Sequence, residues 1–265
     1  MMKNRTSKVV VITGASNGIG LATAKYYVEH KHIVYDLSRH GISHDGILHI
    51  TCDITNEENV TCAINQIIKE QGRIDLLINN AGFGISGPVE FTNLSDAKKQ
   101  FDVNFFGSLS VTNATVPFMR EKKAGRIIFT SSVAAVFSIP FQAFYSAAKS
   151  SINALTLALA NEVRPFNISV CAIMPGDVST GFTDNREKNK CGSEIYTRLN
   201  KSIETMEHDE RNGMSCLKMA KLFYKVGNKK HVKPLYVGGF KYAFLVFLSR
   251  LVPTRFFNWV VGKMY

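Results

Sequence analysis

The stretch VVVITGASNGIGLATAKYYVEH, residues 9–30, decides the fold. Its first five residues form an uninterrupted apolar run rich in valine, the pattern of a short strand buried on both faces. The run enters a turn carrying Gly14, Gly18 and Gly20, and residues 18–30 then continue with helical spacing. Glycine at such a junction permits a tight turn and lets backbone N–H groups approach a pyrophosphate at the helix start. The spacing is TGxxxGxG rather than GxGxxG. Alone it is a weak pattern, and an ordinary βα turn competes with it. Its placement after a strand, before a helix and inside a βαβ unit gives it weight. Ser16, Asn17 and Ile19 occupy the same turn and join the glycines as candidate dinucleotide contacts.

The alternation continues outward. HIVYDLS (32–38), ILHITCD (47–53), RIDLLINNAG (73–82), RIIFTSS (126–132), ISVCAIMPG (168–176) and LYVGG (235–239) read as further strands. Residues 18–30, 56–70, 95–123 and 141–164 read as helices, with Thr55 and Asn56 as natural N-caps and Gly72 and Gly125 punctuating two helix ends. Repeated β-α-β units predict an α/β fold: a doubly wound, Rossmann-type parallel sheet of about seven strands. Ligands of such sheets bind beyond the carboxyl ends of the strands. We expect one catalytic domain over 1–239 and an amphipathic helical tail over 240–265.

The 265 residues contain no repeat, low-complexity tract or linker. The five cysteines are odd in number and form no CxxC, which argues against a disulfide framework or a zinc site and suits a reducing compartment. The apolar run after the basic start MMKNRTSK is too short for a signal-peptide core, and no segment has the ~18 apolar residues of a membrane span. Charge is divided unevenly. From Arg211 to Tyr265 there are eleven Lys/Arg and no Asp/Glu, so the first 210 residues are formally neutral and the whole +11 lies in the last 55. Such asymmetry points to an anionic partner surface, although a solvated lysine-rich helix face is the bland alternative.

The second strand ends Asp36-Leu37-Ser38-Arg39. An acid at the strand end holds a ribose 2′-hydroxyl and repels a 2′-phosphate. Counting from the apolar run puts Ser38 at that position with Arg39 next, which favours NADP(H), since Arg suits phosphate oxygens. A shift of the strand end would bring Asp36 there and favour NAD(H). Further along, Tyr145 and Lys149 stand at i and i+4 on one helix, and Ser131 and Ser132 close the preceding strand. A tyrosine of ordinary pKa near 10 is a poor acid/base at neutral pH, and a nearby lysine charge favours tyrosinate.

Together these motifs resemble the short-chain dehydrogenase/reductase family, continuously over roughly residues 7–185. TGASNGIG (13–20) resembles its cofactor turn, Asp53-Ile54 its adenine-contacting pair, and Asn79-Asn80-Ala81-Gly82 its NNAG motif. Asn104 resembles its helical asparagine, Ser132 its catalytic serine, and YSAAK (145–149) its YxxxK. Pro175-Gly176, Val178 and Thr180 resemble its PGxVxT. The resemblance implies that Tyr145 exchanges the substrate proton, that Lys149 lowers the tyrosine pKa and holds the nicotinamide ribose, and that Ser132 binds the substrate oxygen. It implies that Asn104 kinks its helix and holds a relay water, that Thr180 contacts the carboxamide, and that no metal is required. NNAGFGISGPVE (79–90) and ANEVRPFNISV (160–170) resemble members acting on lipidic alcohols and ketones: 17β-hydroxysteroid dehydrogenases, retinol dehydrogenases and acyl-dihydroxyacetone-phosphate reductases.

Residues 181–215 occupy the family's substrate loop and lid. Phe182, Tyr196 and Leu199 are candidate lid contacts, each equally a packing residue. Residues 215–226 read as a helix. The expected function is an NADP(H)-preferring oxidoreductase interconverting a hydroxyl and a carbonyl on an apolar steroid-, retinoid- or acyl-lipid-like substrate. Competing functions are a reductase of small polar carbonyls and a catalytically idle NADP-binding protein at a membrane. A nucleic-acid partner is not expected, because the tail's aromatics lie in apolar runs. A homo-dimer or tetramer is expected, in the cytoplasm. Phe240–Val252 is too short and too charged to span a bilayer. With Pro253 ending it and Thr254 capping a second segment, the tail reads as peripheral membrane contact, and otherwise as an oligomer interface or lid.

Overall fold

In a computed structural model, residues 7–265 are described; most of the basic N-terminal stretch discussed above lies outside them. The chain begins β1 (Val9–Thr13), α1 (Gly18–Glu29), β2 (Ile33–Ser38), β3 (Ile47–Thr51), α2 (Glu57–Gln71), β4 (Leu76–Asn79) and the two-residue β5 (Ile85–Ser86). Next come α3 (Leu94–Phe101), a π-helical turn (Asp102–Gly107), α4 (Ser108–Glu121), β6 (Gly125–Thr130), α5 (Ala143–Glu162) and β7 (Ile168–Pro175). The short strands β8 (Val178–Ser179) and β9 (Glu187–Lys188) lead to α6 (Leu199–Arg211), β10 (Met214–Ser215), α7 (Cys216–Gly227) and β11 (Leu235–Gly238). Helices α8 (Phe240–Leu248) and α9 (Thr254–Met264) end the chain.

Seven strands form one parallel sheet in the order β11-β7-β6-β4-β1-β2-β3. The chain winds outward from β1 in one direction and from β4 in the other, so the switch point opens between them. Alternate residues of each strand feed two cores, as a doubly covered sheet requires. Val9 and Val11 of β1 pack with α2, α4 and α5, around Ile64, Val111 and Ile152. Val10 and Ile12 face α1 and α7, around Tyr27, Met219 and Phe223.

Local chemistry explains most boundaries. The Asn56 side chain accepts the Asn59 N–H at 3.0 Å and starts α2, while Thr55 turns instead to Asp53. Gly72 ends α2 at φ 70°, a left-handed conformation that glycine adopts without strain. Gly125 does otherwise than expected. It opens β6, and the left-handed residue after α4 is Lys123. Gly125 is needed because a side chain there would drive into Met119. The helix expected over 95–123 is broken by the π turn at 102–107, which sequence periodicity does not reveal. At the tail, Pro253 is the N-cap of α9 and Thr254 its first helical residue, with no side-chain cap bond.

Candidate active site

The ends of β1, β4 and β6 are laced together before any ligand is considered. The Thr13 hydroxyl accepts the N–H groups of Asn80 and Ala81 at 2.9 and 3.0 Å. The Asn80 amide donates to the carbonyls of Thr13 and Gly14 at 3.1 Å. This clamp brings the glycine turn against Ala81 closely enough that a Cβ on Gly14 would lie 3.0 Å from the Ala81 Cα. Gly14 and Gly18 both hold positive φ, 67° and 56°. Helix α1 then starts with no side-chain cap and no acid in its first turn. Unspent N–H groups beside a flat glycine surface form an anion cradle, and these residues fit a dinucleotide pyrophosphate. Gly20 has another task. It does not line the cleft, and a Cβ there would strike the Gly14 carbonyl oxygen, so its smallness packs helix onto turn.

A cleft of about 1140 Å³ runs along the strand ends. Gly14, Ser16, Asn17, Gly18 and Ile19 line one end with Ser38, Arg39, Asp53 and Ile54. Asn80, Ala81 and Gly82 line the cleft too, with Ser132, Tyr145, Lys149, Pro175, Gly176, Val178 and Thr180. Thr180 approaches the start of α1, 3.5 Å from a Cβ position at Gly18. The choice between Asp36 and Ser38 gains a physical answer here. Asp36 is buried, and one oxygen accepts the Ala15 N–H at 2.7 Å. Its other oxygen accepts the Ser38 hydroxyl at 2.7 Å and lies 3.0 Å from His49 Nδ1. The acid therefore fastens the phosphate turn to β2 and β3 and stays out of the cleft, whereas Ser38 and the exposed Arg39 face it.

At the reactive end, the Lys149 ammonium is buried and donates to the Thr130 carbonyl at 2.9 Å. It lies 5.7 Å from the Tyr145 ring centroid. Burial holds Lys149 down at about 8. Burial pushes the Tyr145 phenol up to about 12; a hydrogen bond with Ser132 and the Arg186 charge pull against it, and Glu210 adds to it. The Ser132 oxygen accepts the Ala134 N–H at 3.1 Å, which leaves its own proton for an acceptor in the cleft. Ser131 differs: its buried hydroxyl donates to the Lys149 carbonyl at 3.1 Å, supporting the helix that carries the lysine.

Asn104 stands in the π turn and does not line the cleft. Both ends of its amide are engaged by Phe83, accepting that N–H at 3.0 Å and donating to that carbonyl at 2.9 Å. Its side chain therefore fixes the Gly82–Phe83 turn, 2.8 Å from a Cβ position at Gly82. Of the lid candidates, Phe182 lines the cleft with its ring 5.7 Å from that of Tyr145. Tyr196 packs on Phe91 and Phe141 and bonds Glu90, and Leu199 is fully buried with Ile203 and Met206. Neither of these two touches the cleft.

Sequence reasoning passed over a charged latch. Arg186, buried, pairs with Glu210 on α6, whose second oxygen accepts the Thr183 hydroxyl at 2.6 Å. Lys188 pairs with Glu207 one turn earlier. Glu210 lines the cleft near Tyr145, so the lid and the reactive centre share this carboxylate. Nothing local to 181–190 signals it, because the partners lie beyond that segment, on α6.

The family model for short chain dehydrogenases matches residues 8–190. The chain belongs to the short-chain dehydrogenase/reductase family. It is an oxidoreductase acting on CH–OH groups. It is 41% identical over 231 residues to a 3-ketodihydrosphingosine reductase of Bacteroides thetaiotaomicron, covering 84% of this chain and 85% of that one. Among solved structures, ElxO with NADP bound aligns with a TM-score of 0.76 at 25% identity, covering 90% of this chain and all of that chain. An NAD+-bound xylitol dehydrogenase aligns at 0.75 and 26%, covering 88% and 98%. Members of this reductase family thus bind both nicotinamide dinucleotides.

Proposed function

We propose that this chain reduces the ketone of a long-chain lipid to an alcohol, with NADPH as preferred cofactor and NADH as the weaker alternative. The observation that carries this reading is the pairing of a protonated Tyr145 with Ser132 at an aromatic and aliphatic cleft end lined by Phe83, Val133, Ile139 and Phe182. Support for the substrate class comes from the 3-ketodihydrosphingosine reductase, whose name specifies a ketone on a long alkyl chain. Support for NADPH is the engagement of Asp36 by Ala15, Ser38 and His49, which leaves Arg39 to meet a 2′-phosphate.

The bound nicotinamide would supply the hydride. Every other task falls to side chains. The Ser132 hydroxyl donates to the carbonyl oxygen and stabilises the charge that develops there. Tyr145 delivers its phenolic proton to that oxygen, and at neutral pH the phenol is in the required acid form. Lys149, on leaving Thr130, steadies the resulting tyrosinate and the nicotinamide ribose. Asn104 keeps the Gly82–Phe83 wall in register. Phe182 and the Arg186–Glu210 latch exclude water once the lid closes. The protein would act as a homo-oligomer held peripherally at a membrane surface on the cytoplasmic side.

Steady-state assays with 3-ketodihydrosphingosine in mixed micelles and with short polar aldehydes check both claims. The lipid ketone should give the higher kcat/KM, and NADPH should exceed NADH, with Arg39→Ala reducing that preference about tenfold or more. A preference for short aldehydes would favour the small-carbonyl alternative, and equal use of the two cofactors would remove Arg39 from the reading.

A further inference from the structure

Seven of the sixteen large apolar side chains exposed among the described residues lie in 240–265. Phe240, Phe244, Phe247 and Leu251 are 90, 57, 59 and 65% exposed. Their spacing of four, three and four residues draws one stripe along α8 and the turn after it. On α9, Phe256 and Trp259 are exposed three residues apart with their rings stacked at 6.1 Å, and Met264 is exposed at the helix end. The inward faces are already spent: Val246 and Val261 are buried against Val133, Phe137 and Met174. The outward rows leave seven large apolar side chains exposed on two successive helices and the turn between them, the kind of apolar surface that marks an interaction site.

Charge selects the occupant. Lys241, Arg250, Arg255 and Lys263 are exposed beside these rows, and no Asp or Glu follows Glu210. A second copy meeting this face across a two-fold axis would bring like charges together without relief. An anionic bilayer suits both components, taking aromatic and aliphatic groups at the acyl boundary and Lys/Arg among the headgroups. No described helix is long and apolar enough to cross a membrane, so the contact lies in the surface plane. We infer that α8 and α9 form a docking surface for an anionic lipid bilayer.

The same helices border the reactive end of the cleft. The Tyr242 hydroxyl bonds Asp177, and its ring fills the space beside Gly176. Tyr265 and Ile139 both pack against Leu199, Ile203 and Met206, and Arg198 of the lid segment donates to the Gly262 carbonyl. Asp177, Gly176 and Ile139 all line the cleft. Docking therefore sets the substrate entrance against the lipid phase, a consequence that rests on the proposed lipid substrate, whereas docking itself does not.

Trp259 is the sole tryptophan of the chain and lies 58% exposed in this surface. Full-length protein is titrated with vesicles of phosphatidylcholine alone and of equal parts phosphatidylcholine and phosphatidylglycerol. On the anionic vesicles, Trp259 emission should shift to the blue, be quenched by brominated acyl chains, and accompany cosedimentation. Phosphatidylcholine alone should bind far less. Arg250→Glu with Arg255→Glu should weaken binding about tenfold or more. Phe244→Asp with Phe247→Asp should abolish binding while NADPH titration stays normal, which also checks the fold. No shift and no cosedimentation of the full-length protein would overturn the inference. So would light scattering that shows the Phe variants converting a dimer to a monomer without any vesicle binding. A chain that binds vesicles yet fails to reduce the lipid ketone in micelles would sink the proposed substrate and leave the docking surface standing.

Discussion

A lysine ammonium buried against the Thr130 carbonyl, as Lys149 is, costs the folded state whenever it stays protonated. Its folded pKa of about 8 lies below the 10.5 of an exposed lysine. Between those values the unfolded chain binds more protons, so this group makes stability rise with pH from about 8 to 10.5. Near pH 7 the penalty is on the order of 3 kcal/mol. Lys149→Met should therefore raise the urea midpoint at pH 7, with a gain that fades as pH climbs through that window, while turnover is lost. A midpoint that falls equally at pH 7 and 10 would show that the lysine is stabilising. Tyr145 has the opposite sign: its raised pKa favours folding below pH 10, and that contribution disappears as pH rises from about 10 to 12. The motif residues around these two were legible through their resemblance to the family's motifs; spacing alone left the choice between Ser131 and Ser132 open. The fate of Asp36 was not, because its partners Ala15 and His49 stand 21 and 13 residues away and meet it only through strand register.

Elements carry a different kind of constraint, visible in pairs of glycines. At Gly20 a side chain would collide with the Gly14 carbonyl, which is backbone and cannot turn aside. Gly20→Ala should cost about 1–3 kcal/mol and weaken cofactor binding, measured by chemical unfolding and NADPH titration. Gly262 in α9 has nothing within 4 Å of its Cβ position, so Gly262→Ala should stabilise by roughly 0.5–1 kcal/mol. Equal effects at the two sites would contradict this packing account. In the lid, Glu210→Gln would leave the Arg186 guanidinium buried without its counter-charge. A loss of roughly 3–5 kcal/mol is expected from thermal unfolding. The strands and most helices followed from apolar runs and turn residues. The π turn at 102–107 and the lid latch did not, since one needs the Asn104–Phe83 bonds and the other pairs two distant polar segments.

The molecule as a whole divides into a formally neutral stretch, residues 1–210, and a basic stretch, residues 211–265, that ends in an exposed aromatic surface beside the cleft mouth. That division is plain in the order of charged residues along the chain. The orientation of α8 and α9, one face on Val133 and Phe137 and the other exposed, required three dimensions. Catalysis and docking separate experimentally, because the reactive groups belong to the turn after β6 and to α5 while the outward rows belong to the last 26 residues. The central claim is that Tyr145 supplies the proton for NADPH-dependent reduction of a long-chain lipid ketone. It is tested most directly by following NADPH consumption with 3-ketodihydrosphingosine in mixed micelles, comparing the native chain with Tyr145→Phe. Native turnover, with a loss of about 10²-fold or more in the variant and unchanged NADPH affinity, is the predicted result. Unchanged turnover in Tyr145→Phe, or no NADPH consumption by the native chain, would contradict it.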